Sequence, residues 1–90
     1  MKTIWKFPLE IVDAQYVKAP MGARFFKAEI QNDRLCLWGF VDPDQTTFDH
    51  AIYIFGTGRP IPDRMGIETL RHIGTVFDGP FVWHVFVRDR

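Results

Sequence analysis

The chain has no serine, one cysteine, no net charge and no long apolar run. Each shortage removes a class of function. Without serine there is no Ser–His–Asp nucleophile, and Cys36 lies between Leu35 and Leu37, the setting of a packed thiol rather than a reactive one. A single cysteine also excludes an intrachain disulfide framework and a thiolate zinc site, and it suits a reducing compartment. Lys and Arg number 11, as do Asp and Glu. A balanced chain lacks the long-range field that favours nonspecific nucleic-acid binding or an anionic membrane surface. The longest apolar run, from Ala51 to Phe55, is five residues long, whereas a transmembrane helix needs about 20. Lys6 and Pro8 interrupt the N-terminal stretch, so no signal-peptide core forms and a cytoplasmic location is expected.

What is abundant is aromatic. Three Trp, two Tyr and nine Phe stand in 90 residues of which 47% are hydrophobic. That excludes a disordered chain and leaves room for one domain spanning residues 1–90. A domain of this size buries roughly 60–65% of its unfolded surface. Large rings, each burying about 150–250 Å², are one route to a dense enough core.

Apolar residues recur mostly with period two, as in strands. Residues 3–9 alternate Trp5, Phe7 and Leu9 with Lys6 and Pro8, and Pro8 assigns that strand to a sheet edge. Residues 24–31 put Phe26, Ala28 and Ile30 on one face and Phe25, Lys27 and Glu29 on the other. Asn32-Asp33-Arg34 is a polar turn, after which residues 35–41 set Leu35, Leu37, Gly39 and Val41 against Cys36, Trp38 and Phe40. Together they make a hairpin. Asp42-Pro43-Asp44 ends the second strand with turn chemistry. Residues 48–57 are apolar on both faces, as an interior strand is. Residues 71–77 and 81–88 form a second hairpin about Asp78-Gly79-Pro80, with the last strand central. Residues 13–23 are the least regular stretch outside the glycine loop, and residues 63–70 have room for one short helical turn that Gly66 weakens. The expected fold is all-β, a small antiparallel sandwich or barrel of about six strands.

Reactive constellations are sparse. His50, His72 and His84 show no HxH or HExxH spacing, although His72 and His84 can meet across the terminal hairpin and, with Asp49 or His50, outline a metal site. Asp42, Asp44 and Asp49 cluster in a turn, where aspartate is common for backbone reasons. Rings interleaved with cations, Trp5-Lys6-Phe7 and Arg24-Phe25-Phe26-Lys27, suit single-strand stacking platforms, but the matching acidic residues argue against that use. The loop from Gly56 to Pro62 is the most distinctive feature. Gly56, Thr57, Gly58 and Arg59 can offer backbone N–H groups, a hydroxyl and a guanidinium to an anion, with Trp38 or Tyr53 stacking beside it. It is neither a P-loop nor a dinucleotide fingerprint.

The ordered set Trp5-Lys6-Phe7-Pro8-Leu9, Pro20-Met21-Gly22-Ala23, Ala28-Glu29-Ile30-Gln31-Asn32, Leu35-Cys36-Leu37-Trp38, Val41-Asp42-Pro43, Ile54-Phe55-Gly56-Thr57-Gly58-Arg59-Pro60-Ile61, His72-Ile73-Gly74-Thr75 and Trp83-His84-Val85-Phe86 resembles a family of small uncharacterised proteins of tailed bacteriophages and prophages. The resemblance spans about residues 2–87 and is closest at the GTGxPI and VWHVF motifs. It implies a single-domain phage accessory protein with no assigned reaction and no catalytic residues to carry over. The expected function is therefore a non-enzymatic binding module, acting stoichiometrically on a host protein or by sequestering a small anionic, nucleotide-like ligand. No cofactor, membrane or nucleic-acid partner is expected. The surplus of rings points to a homo-oligomer, most simply a dimer. The alternatives are a virion or assembly component and a small metal-dependent hydrolase built on His84 with His72 or an aspartate.

Overall fold

A computed structural model describes residues 1–89. Seven strands form the fold: β1 (Thr3–Pro8), β2 (Ala14–Pro20), β3 (Arg24–Gln31), β4 (Arg34–Val41), β5 (Thr47–Gly56), β6 (Arg71–Asp78) and β7 (Phe81–Val87). They make two antiparallel sheets, ordered β1-β4-β3 and β2-β5-β7-β6, with no closed barrel. The all-β expectation holds, with seven strands in place of about six. Pro8 does lie on an edge strand, and β5 and β7 are interior. Among the described residues, no helix is long and apolar enough to cross a membrane.

The additional strand is β2, in the stretch whose sequence reads as irregular. Its inward positions are Gln15, Val17 and Ala19, of which Val17 alone has a strand-favouring side chain. Pairing along seven residues of β5 supplies the missing drive. The 63–70 stretch forms two single 3-10 turns, Asp63–Met65 and Ile67–Thr69, parted by Gly66 at φ 61°.

Both hairpins have two-residue loops whose twist matches the strands. Asn32 and Asp33 take φ of 52° and 61°, the signs of a type I′ turn, and Arg34 already pairs with Gln31. Gly79, at φ 58°, precedes Pro80 in the type II′ pattern.

One face assignment is reversed by a β-bulge. Phe25 pairs with Gly39 and Lys27 with Trp38, leaving Phe26 as an extra residue in β3. A bulge adds one residue without a partner, so alternation slips by one at that point. Phe25 therefore points inward at 1% exposure with Ala28, while Phe26 points outward at 43%. Inward residues of both sheets, among them Phe25, Leu35, Leu37, Ile52, Ile54 and Val85, form one apolar cluster. Cys36 is buried, its Sγ 3.5 Å from the Arg34 carbonyl.

The sheets meet where β3 runs beside β6. A Cβ on Gly74 would sit 3.4 Å from the Ala28 nitrogen and 3.5 Å from its Cβ, so the two backbones approach closely there. β6 is also bulged, between His72 and Gly74. Arg71 ties the seam, its Nη1–H donating to the Phe25 carbonyl at 2.8 Å and its Nε–H to Asp89 at 2.8 Å.

Two predictions follow from local geometry. A Cβ on Gly39 would meet Phe25 Cδ1 at 3.0 Å and the Arg24 carbonyl at 3.3 Å. Gly39→Ala is expected to lower stability by about 1–3 kcal/mol in urea unfolding, and wild-type stability would contradict this packing. At the end of β4, the Asp44 backbone N–H donates to Asp42 Oδ1 at 3.1 Å. That bond holds the Asp42 carboxyl below its ordinary value against the opposing effect of desolvation, helped by Gln45, the N-terminal ammonium and Lys2. A depressed folded pKa gives stability that is present above the unfolded value and is lost as pH falls through the folded one. Asp42→Asn should remove that increment from the acid limb of the stability profile, measured as urea midpoints. An unchanged acid limb would contradict it.

Candidate functional site

The glycine loop is a turn in which several of the donors are already engaged. Gly56 ends β5 opposite Trp83, and Thr57 N–H donates to the Val82 carbonyl at 3.1 Å. Arg59 N–H donates to the Gly56 carbonyl at 3.1 Å, closing a turn with Gly58 at φ 84°. The Arg59 guanidinium pairs with Asp13 at 3.0 Å, and Thr57 Oγ1 lies 2.6 Å from His84 Nε2. Two N–H groups, the hydroxyl and the cation that sequence suggested for an anion thus have internal partners.

The other two suggested residues lie apart from this turn. Tyr53 stands farther along β5, with the Arg88 guanidinium 5.5 Å from its ring. Trp38 lies in β4, in the other sheet, on the outward side with Lys27, whose ammonium is 5.9 Å from the indole. The structure does not gather Trp38 and residues 56–59 into one site.

His72 and His84 do meet across the terminal hairpin, their ring centroids 6.5 Å apart. A threonine stands between them. Thr75 Oγ1 is 3.0 Å from His84 Nδ1 and 3.1 Å from His72 Nε2, so Thr57, His84, Thr75 and His72 form one hydrogen-bonded chain. His50 lies elsewhere, its Nε2 3.3 Å and 3.2 Å from the Ala19 and Pro20 carbonyls and its ring set edge-on to Phe25 and Phe48. Among the described residues, no three His, Cys, Asp or Glu side chains are grouped to hold a metal ion.

A groove of about 940 Å³ is lined by Tyr16, Arg24, Phe48, His50, Tyr53 and Arg88 with neighbouring residues. Register builds it. On the outward face Tyr16 stands opposite Ala51, and Ala14 opposite Tyr53, so each ring faces a small side chain. Arg71 and Asp89 line the groove too and neutralise each other, and Asp49 in the lining is paired with Lys18 outside it at 2.9 Å. Arg88 is held by the Met65 carbonyl at 3.1 Å and Thr69 Oγ1 at 3.5 Å. Arg24 has no ion pair or hydrogen bond among the described residues. The groove therefore joins rings to a surplus of positive charge, the lining a small organic anion needs. Sequence reasoning reached Tyr53 and noted Arg24 only as part of a basic aromatic stretch. It missed Tyr16, because the site needs β2 to be a strand.

A family model described as a domain of unknown function (DUF7352) matches residues 1–90. No curated protein and no solved structure matches the chain.

Thr75→Val keeps the side-chain shape and removes the bridge between the histidines. It is expected to cost about 0.5–1.5 kcal/mol in urea unfolding, and an unchanged midpoint would contradict the bridge.

Proposed function

We propose that this chain, which belongs to the DUF7352 family over residues 1–90, is a non-enzymatic binding module that captures a small anion in the β2–β5 groove. The observation that carries the reading is Arg24, a guanidinium that has no ion pair or hydrogen bond among the described residues and lines a cavity with aromatic rings. Hydrogen bonds to a charged group contribute about 1.5–3 kcal/mol, enough for one arginine to dominate the affinity of a small ligand. Holding without transforming is supported by the hydroxyls and imidazoles of Thr57, His84, Thr75 and His72, which are spent on one another. The resemblance to tailed-phage and prophage proteins fits an accessory protein that sequesters its ligand stoichiometrically in the cytoplasm of an infected cell.

A second reading, an assembly component or homo-oligomer, rests on a different place. Phe77 and Phe81, at the tip of the terminal hairpin, are 73% and 57% exposed. Copurification with virus particles would favour this reading over the first.

Calorimetric titration of the intact protein with pyrophosphate and a nucleoside monophosphate tests the proposal. Saturable binding of the unchanged ligand is expected, weakened at least about tenfold in Arg24→Gln and unaffected in Arg59→Ala. Absence of binding, indifference to Arg24, or recovery of a converted ligand would overturn it.

A further inference from the structure

We infer that the anion taken by the groove is planar and ring-bearing, of the nucleoside-phosphate class, with its ring inserted between Tyr16 and Tyr53. This deepens the anion-binding reading and rests on it.

The argument is one of register. Tyr16 pairs with Ala51 and Ala14 with Tyr53, so the two tyrosines are diagonal neighbours on one face of the β2–β5 ladder. Diagonal positions in an antiparallel pair lie about 7–8 Å apart, with β-carbons somewhat closer. A flat ring held between two others needs about 7 Å, twice a carbon–carbon contact of roughly 3.5 Å. The alanines opposite each tyrosine leave the floor of that space low. Neither tyrosine has another aromatic ring against it among the described residues, and Tyr16 is 73% exposed. Arg88, just past β7, holds its guanidinium 5.5 Å from the Tyr53 ring and is itself bonded to the Met65 carbonyl, so a ligand ring against Tyr53 would share that tyrosine with a cation already in place.

Charge agrees with a ring that carries an anion. Of the acidic groups beside the clamp, Asp49 on the same face is neutralised by Lys18, and Asp13, next to Ala14, by Arg59. Arg24 is among the residues lining the same groove and has no ion pair among the described residues, which makes it the cation assigned to the phosphate. The same base and phosphate chemistry is also offered by single-stranded nucleic acid, but the net-neutral chain has no field to recruit a polyanion. A free nucleotide is therefore the inferred source.

The test is a set of titrations of the intact protein with a purine nucleoside 5′-monophosphate, the matching nucleoside, pyrophosphate and a short single-stranded oligonucleotide. The monophosphate should bind more tightly than the other three. Tyr16→Ala should weaken it by about tenfold, the loss of one stacking contact, whereas Tyr16→Phe should retain it. Because Tyr16 is exposed, an unchanged melting temperature in Tyr16→Ala is expected and serves as the folding control. Pyrophosphate binding as tightly as the nucleotide, with no effect of Tyr16→Ala, would overturn the clamp and leave the anion module standing. Tighter, steeply salt-dependent binding of the oligonucleotide would overturn the free-nucleotide assignment. No binding of any probe would remove both readings.

Discussion

The approach of β3 to β6 at Gly74 and Ala28 is the constraint on which the rest of the molecule depends. The two sheets share one core through their facing sides, and β3 beside β6 closes that core along one edge. Here that edge is bare of side chain on one partner and small on the other. Both strands of the seam carry a β-bulge, and bulges bend and twist a strand where they occur. The result is an edge that needs no ladder to be protected, since each strand covers the other. Arg71 fastens it by capping the Phe25 carbonyl and pairing with Asp89.

That fastening also places the groove. Arg71 and Asp89 belong to its lining, so the ion pair that holds the seam forms part of the wall against which a ligand would rest. Arg24 precedes the bulged pair Phe25 and Phe26, is exposed, and has no ion pair among the described residues. β2 brings Tyr16 to the opposite side. Core packing and the groove thus share residues, and among the described residues Arg24 lacks the partners that Arg71 and Arg88 have. A cation without a partner beside paired ones has hydrogen-bonding capacity still to offer an anion.

Much of the fold was legible because strands buried on one face alternate. Leu35, Leu37, Gly39 and Val41 declare the inward side of β4, and the turn residues Asn32-Asp33 and Gly79-Pro80 declare both hairpins. Phe25 and Phe26 could not be assigned in the same way. Two adjacent phenylalanines fit either register, and only pairing to Gly39 and Trp38 decides between them. β2 was hidden because Ala14, Gln15 and Ala19 carry no strand preference of their own. The glycine loop stood out in sequence for composition, yet that composition serves a tight turn whose donors bond to Val82, Gly56, Asp13 and His84. Composition identifies donors. It does not reveal which are already occupied.

The most direct measurement of the central claim is a residue-by-residue map of ligand contact in solution, by amide proton–nitrogen spectra of the intact protein titrated with a nucleoside 5′-monophosphate. The account predicts progressive shifts at Tyr16, at residues 21–24 and 49–53 and at Arg88, with Trp38 and residues 57–59 unmoved. Shifts centred on residues 57–59 or Trp38, or spectra that do not change, would contradict it.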